Sequence, residues 1–167
     1  LDIAIECLVN VWGETCAIFA GAAEPAHDAC VQAARRHYKA TKSTDCDVVV
    51  SNVYVKAQEW ATGSKAAASV RKGGDFVVCA NAPDGQVIHY LMAGWGSTLH
   101  GEEMESPATA HAKRIFLYTQ YPVVGAFFHH HVQQMSSWTE IAKALTDVHG
   151  SKAKVAVYPS ADLMYFG

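Results

Sequence analysis

The sequence predicts an α/β fold in which a mostly parallel sheet is covered by helices. Short apolar runs without alternation, such as Asp47 to Ser51 and Asp75 to Ala80, are typical of strands buried on both faces. Amphipathic helical patterns alternate with these runs, which is the order expected of a parallel sheet. Half of the 167 residues are hydrophobic and 17% are charged, a composition that supports a packed core and excludes a disordered chain.

An N-terminal β-hairpin opens the predicted order of elements. Leu1 to Val11 alternates between apolar and polar residues, Thr15 to Ala20 is a second short apolar run, and Trp12-Gly13-Glu14 between them suits a turn. The pattern then becomes helical from Pro25 to Tyr38. The remaining predicted elements are a strand over Asp47–Ser51, a helix over Gln58–Arg71 stopped by Lys72-Gly73-Gly74, a strand over Asp75–Ala80, a helix over Val87–Ala93, a loop over Gly94–Lys113, a strand over Arg114–Tyr118, a helix over Trp138–Val148 capped by Ser137 and stopped by Gly150, and a strand over Lys154–Tyr158. Together they predict a three-layer, Rossmann-like domain.

Charge and hydropathy narrow the classes of partner. Thirteen Lys and Arg against sixteen Asp and Glu give a net charge of −3, which provides no basic surface for nucleic acid or anionic lipid. The longest apolar stretches, Phe76 to Ala80 and Val123 to Phe128, are far shorter than a membrane span, and no secretory signal pattern opens the chain. We therefore expect a cytoplasmic protein whose ligand is a small molecule or another protein.

The five cysteines are scattered through the sequence without a C-x-x-C pair. Their odd number and spacing argue against a disulfide framework and against a structural zinc site. Cys7 and Cys79 stand inside apolar, strand-like runs, so we predict that both are small core residues.

Ligands of open α/β sheets bind outside the carboxyl ends of the strands. That rule selects the segments Ser51–Lys65, Ala80–His89, Thr119–Gly125 and Pro159–Asp162. Lys65, one or two turns into the predicted helix, is placed to reach a carboxylate or phosphate, although on the sequence alone a solvated helix surface is the better explanation. No G-x-G-x-x-G and no P-loop pattern occurs, so the usual modes of dinucleotide binding are not expected.

The histidines give no complete active site. His129, His130 and His131 are consecutive, and consecutive side chains diverge on a strand or a helix, so a polar surface or a weak adventitious metal site explains them best. No H-E-x-x-H, nucleophile elbow or paired-carboxylate motif is present. We therefore assign no catalytic residue and no metal ligand.

A series of short segments nevertheless follows a recognisable order. Phe19-Ala20-Gly21, Ala26-His27, Asp47–Ser51, Lys65-Ala66 and Lys72-Gly73-Gly74 are followed near the end by Val155 to Pro159 and Ala161-Asp162. In order and spacing these segments resemble the carboxyl-terminal domain of the nickel-pincer lactate racemase family, over nearly the whole chain. The resemblance implies that residues 1–167 form a single domain, the C-terminal domain of a longer two-domain protein.

The segment after the first buried strand carries the site residues that the resemblance implies. Lys65 falls on the family's second lysine, which helps to hold the substrate carboxylate, while Tyr54 and Lys56 fall on its aromatic and first lysine positions. Thr62 would add a polar contact beside Lys65. The departures are Asn52 and Val53 for two glycines, Val55 for proline, Ala57 for aspartate and Ala61-Thr62 for a Tyr-Gln pair, and they leave the substrate open.

The resemblance implies a 2-hydroxy acid racemase or epimerase that uses a nickel-pincer nucleotide. In the family the cofactor-tethering lysine, the nickel-ligating histidine and the proton-shuttling histidines belong to the amino-terminal domain, and none of their motifs occurs in these 167 residues. This chain would then supply one wall of a cleft, partnered by that domain, and would be inactive alone. The alternative is a non-catalytic α/β module that binds a small carboxylate or another anion or has a regulatory role. The losses at Ala57 and Thr62 slightly favour this alternative, and the retained Lys65 favours the racemase.

Overall fold

The computed structural model describes residues 1–83, 109–121 and 132–167. Within them the chain forms two compact units. Unit 1 consists of Leu1–Lys42 and Leu163–Gly167, and unit 2 consists of Ser43–Asp162. The prediction of a single domain within a longer protein stays a prediction.

Unit 1 contains the predicted hairpin and the first helix. Strands β1 (Ala4–Val9) and β2 (Thr15–Gly21) pair antiparallel, and helix α1 (Ala23–His37) packs against both. The Asn10 side chain closes the turn by accepting hydrogen bonds from the Trp12 and Glu14 N–H groups at 2.9 and 3.0 Å. Residues 163–167 join this unit through a parallel bridge between Lys39 and Tyr165.

The prediction that Cys7 is a core residue is wrong. Cys7 is exposed, on the same side of β1 as Ile5, which is 73% exposed. Alternation placed Cys7 correctly within a strand, but the face it lies on is the one that α1 does not cover. Cys79 is partly buried against the core of unit 2, and this burial raises the pKa of its thiol to about 11.

Unit 2 contains a five-stranded parallel sheet, which confirms the predicted α/β fold. The strand order is β6-β5-β4-β3-β7, and every neighbouring pair is parallel. The strands are β3 (Cys46–Asn52), β4 (Val70–Cys79), β5 (Arg114–Tyr118), β6 (Val132–Met135) and β7 (Val155–Tyr158).

Both faces of the central strands are buried, as their uninterrupted apolar runs predict. On one face Val48, Val50, Val77 and Phe116 form a cluster with Ile141 of helix α2 (Trp138–His149). Ser137 caps this helix by accepting the Glu140 N–H at 3.3 Å, and the chain leaves it at Gly150 with a φ of 69°, as predicted. Residues that alternate with the cluster point to the opposite face, where a 3-10 helix (Trp60–Ser69) contacts β3 and β4.

The segment from Gln58 to Gly74 differs from the prediction. The helix is of the 3-10 type and ends at Ser69, and Lys72-Gly73-Gly74 lies inside β4 instead of stopping a helix. Close packing explains the glycines, because a Cβ at Gly74 would stand 2.7 Å from the Asp47 carbonyl oxygen. Gly73 has a φ of 76° where the β3–β4 register shifts. The glycines therefore allow an irregular strand to follow β3 closely.

One strand was not predicted, and several predicted segments lie outside the described residues. Strand β6 was not predicted, since Gln133 and Gln134 interrupt any apolar run in this edge strand. The predicted helix 87–93, most of the loop 94–113 and the histidines 129–131 lie outside the described residues. No helix among the described residues is long and apolar enough to cross a membrane.

Candidate functional site at the carboxyl edge of the sheet

The candidate site lies where β3 and β7 end, because parallel strands bring their carboxyl ends to one edge of the sheet. After β3 the chain passes through Tyr54 and Lys56 into the 3-10 helix that carries Lys65. After β7 it passes through residues 159–162, which end at Asp162. The site is therefore built from segments about 100 residues apart in sequence.

Close packing fixes the 3-10 helix against the end of β3. The Ser51 hydroxyl donates a hydrogen bond to the Gly63 carbonyl oxygen at 3.0 Å, and both residues are buried. A Cβ at Gly63 would meet the Ser51 Oγ and the Val53 Cγ1 at 2.5 Å each. Ala66 and Ala67 are fully buried, so the helix presses its small residues onto the sheet and leaves Lys65 on its exposed side.

The segment after β7 is tied to the same strand end. The Asn52 side-chain amide donates to the Pro159 carbonyl oxygen at 2.8 Å, and the Ala161 N–H donates to the Asn52 carbonyl oxygen at 2.8 Å. Two hydrogen bonds thus fix the path that leads to Asp162. The position of Asp162 is therefore set by β3 as well as by β7, which precedes it.

Asp162 contacts both lysines of the site. The Lys65 ammonium donates to the Asp162 backbone carbonyl oxygen at 3.1 Å, and the Lys56 backbone N–H donates to the Asp162 Oδ2 at 2.8 Å. Desolvation lowers the pKa of Lys65, the Asp162 carboxylate opposes that effect, and the Lys56 ammonium adds to it. The Asp162 carboxylate and the Lys56 ammonium therefore each lie within electrostatic range of the Lys65 ammonium. We call Lys56, Lys65 and Asp162 the lysine–aspartate cluster.

Thr62 and Tyr54 complete the set of predicted site residues. The Thr62 hydroxyl donates to the Glu59 carbonyl oxygen at 2.8 Å, within its own turn, and Tyr54 is 59% exposed. Both stand on the segment that carries the lysines, and their roles toward a ligand remain predictions.

Asp162 was the main residue that sequence reasoning did not assign. The segment Pro159–Asp162 was selected by the strand-end rule, and Ala161-Asp162 formed part of the family resemblance, but neither gave Asp162 a role. Its contact with Lys65 spans 97 positions, so no local pattern reveals it.

A second set of polar groups follows β4 and β5 at this edge. The Asn81 amide donates to the Gln120 Oε1 at 3.0 Å, and the Gln120 N–H donates to the Asn81 Oδ1 at 2.8 Å. The Asn81 side chain thus bonds both the side chain and the backbone N–H of Gln120, and these bonds hold the two loops together. Within the ranges 1–83, 109–121 and 132–167, no group of three His, Cys, Asp or Glu side chains is placed to hold a metal ion.

The opposite, amino edge of the sheet holds a buried ionic cluster. The Asp75 side chain is 1% exposed and accepts hydrogen bonds from Arg114 Nε at 3.0 Å, from Arg114 Nη2 and from His149 Nε2 at 2.7 Å. Burial alone would raise the pKa of Asp75, but the bonds from Arg114 and His149 outweigh it and the pKa lies below its usual value. Nearby, Asp47 accepts bonds from the Lys154 N–H and from Arg71, which lower its pKa.

Comparisons with known proteins find similarity to a solved structure. No protein-family model matches the sequence, and no curated protein does. Among solved structures, the fold is similar to the lactate racemase apoprotein from Thermoanaerobacterium thermosaccharolyticum, with a TM-score of 0.67 and 13% sequence identity. The match covers 100% of this chain and 46% of the racemase chain, so this chain spans about half the length of that protein.

Proposed function

We propose that this chain is the substrate-side domain of a 2-hydroxy acid racemase or epimerase of the lactate racemase type, with Lys65 as the anchor for the substrate carboxylate. The observation that carries the proposal is the lysine–aspartate cluster at the carboxyl edge, in a fold that matches a lactate racemase apoprotein over the whole chain. A partner domain that holds the cofactor belongs to the proposal.

The chemistry of binding follows from the position of Lys65. Its ammonium is held by one backbone carbonyl, which uses one of three N–H donors and leaves the others to point at an anionic ligand. A carboxylate bound there is fixed in orientation, and such positioning raises the rate of any step at the neighbouring carbon. Lys56 adds positive charge close to Lys65.

The nickel-pincer nucleotide supplies the hydride acceptor in this proposal. Among the described residues no group of three His, Cys, Asp or Glu side chains is placed to hold its nickel, and the proposal gives these residues the binding and orientation of the substrate. The proposal places that cofactor on the partner domain, and no step of the reaction is assigned to a residue of this chain.

A test of the anchor compares Lys65→Ala with Lys152→Ala in the full-length protein. Lys152 is an exposed lysine next to the amino end of β7, so its variant removes the same charge away from the site. We expect Lys65→Ala to weaken binding of a 2-hydroxy acid, measured by calorimetry with lactate, by about tenfold or more, whereas Lys152→Ala changes it little. Equal affinities in the two variants would contradict the anchor.

The second candidate function is a carboxylate-binding module without turnover. It is favoured by the departures from the family pattern at Ala57 and at Ala61-Thr62. Chiral chromatography of a single lactate enantiomer incubated with the cofactor-loaded full-length protein separates the two candidates. Inversion that depends on Lys65 supports the racemase, and Lys65-dependent binding without inversion supports the binding module.

A further inference from the structure

Unit 1 carries a contact between a cysteine and a histidine that the proposed function does not use. The Cys16 sulfur lies 3.5 Å from His37 Nε2, and its S–H donates to the Leu8 carbonyl oxygen at 3.3 Å. Cys16 and His37 are both exposed, and both belong to unit 1. A thiol within hydrogen-bond distance of an imidazole is a nucleophile beside a base.

A register shift in the hairpin brings the two residues together. Leu8 pairs with Ala17 and Val9 pairs with Thr15, so Cys16 is an additional residue of β2 at this point. An additional residue in one strand of a pair re-aims the side chains around it. Here the Cys16 thiol reaches the last residue of α1. The contact is therefore a product of the strand irregularity and of where the helix ends.

Tyr38 fixes the end of α1 beside this register shift. Its hydroxyl donates to the Val9 carbonyl oxygen at 2.8 Å and accepts the Val9 N–H at 2.9 Å. The Tyr38 ring also lies edge-on to the His37 ring, with centroids 4.9 Å apart. Tyr38 thus ties the helix end to β1 and restricts the imidazole. A nucleophile, a base and a third group that orients the base are the parts of an activated thiol.

We propose that Cys16 is a site of reversible S-thiolation by low-molecular-weight disulfides, with His37 as the base that takes the thiol proton. The Cys16 thiolate attacks one sulfur of the small disulfide, so a new S–S bond forms and the old one breaks. The leaving thiolate takes a proton from water, and the His37 imidazolium returns its proton to water. The Cys16 sulfur is oxidised and the leaving sulfur is reduced, and a second thiol reverses the exchange.

The surroundings of the five cysteines single out Cys16. Cys30 and Cys46 are buried, and burial raises the pKa of the Cys79 thiol to about 11, so it stays protonated at neutral pH. Cys7 is exposed, but no contact among the described residues joins its thiol to a histidine. Thiol–disulfide exchange requires an accessible sulfur and a means of forming the thiolate. Cys16 has both.

The test follows the reaction of the full-length protein with glutathione disulfide at neutral pH by peptide-resolved mass spectrometry. His37→Gln keeps a polar side chain that can hydrogen-bond the sulfur, but the amide cannot take a proton. We expect this variant to slow mixed-disulfide formation at Cys16 by about fivefold or more, since the thiolate forms less readily. The rate at Cys7 should be the same in both proteins, which shows that the hairpin keeps its fold.

The matched control is His27→Gln. His27 stands on the same helix, and its Nδ1 lies 2.9 Å from a Glu6 carboxylate oxygen instead of beside a thiol. We expect its Cys16 to react as in the unmodified protein. Equal rates at Cys16 in His37→Gln and His27→Gln would overturn the proposal, and so would the absence of a mixed disulfide at Cys16 in the unmodified protein.

Discussion

The two edges of the sheet in unit 2 use charged residues in opposite ways. At the amino edge, Asp75 is enclosed by Arg114 and His149, and its oxygens are used by the protein itself. At the carboxyl edge, Lys65 is exposed and gives one hydrogen bond to a backbone carbonyl. One edge therefore closes its charges inside the fold, and the other presents them to solvent.

This difference indicates that stability depends on the charged residues of the amino edge, whereas ligand binding depends on those of the carboxyl edge. A buried charge that lost its partners would destabilise the fold, so the Asp75 cluster constrains how α2 sits on the sheet. An exposed lysine contributes little to stability and stays available to a ligand. Substitutions at the amino edge should therefore change stability, and substitutions in the lysine–aspartate cluster should change binding.

The largest effect is expected for Asp75→Asn. This variant leaves Arg114 and the buried His149 without their charged acceptor, and we expect a loss of about 3 kcal/mol in the free energy of unfolding. Urea denaturation followed by circular dichroism measures it. Asp147→Asn is the control, because Asp147 pairs with Lys143 on the exposed surface of α2 and should cost under about 0.5 kcal/mol. Similar losses of unfolding free energy in the two variants would contradict the difference between buried and exposed charges.

An intermediate effect is expected for Gly63→Ala. The added methyl group would stand 2.5 Å from Ser51 Oγ and Val53 Cγ1, and such overpacking costs about 1–3 kcal/mol. The 3-10 helix must shift to relieve the clash, so lactate affinity should fall together with the melting temperature. Ser64→Ala, one position along the same helix, should change neither quantity much. A stable Gly63→Ala protein with full affinity would show that this packing does not position Lys65.

The smallest effect is expected for acidification. The pKa of Asp75 is lowered by folding, so its contribution to stability is present above the unfolded value near 3.8 and is lost as pH falls through the folded value. One proton changes the free energy of unfolding by at most about 1.4 kcal/mol per pH unit. Melting curves from pH 6 to pH 2 should therefore show the gap between the unmodified protein and Asp75→Asn shrinking in acid. If the difference between the two proteins stayed constant with pH, the effect of Asp75→Asn would come from packing and not from the charge of Asp75.

Much of the fold could be predicted because its signals are local. Three consecutive valines at 48–50 indicate a strand buried on both faces, and the spacing of Ser137 and Glu140 indicates a helix cap. Lys72-Gly73-Gly74 misled the prediction, since glycine can end a helix and can also permit close strand packing. Cys7 misled it because alternation identifies two faces of a strand without saying which one is covered.

The candidate site was predictable to a smaller extent. The strand-end rule and the family resemblance both selected the segment that carries Lys65, and the structure places that residue at the carboxyl edge. The lysine–aspartate cluster could not be predicted, because it depends on how residues 159–162 are tied to Asn52. Such contacts follow from the order of strands β3 and β7, which no local pattern specifies.

The return of residues 163–167 to unit 1 affects the order in which the chain folds during synthesis. The Tyr165 N–H donates to the Tyr38 carbonyl oxygen at 2.8 Å, and the Ala40 N–H donates to the Tyr165 carbonyl oxygen at 3.0 Å. All of unit 2 leaves the ribosome before these residues do, so its sheet can close while unit 1 still lacks its final segment. Of these two units, unit 1 therefore begins first and is completed last.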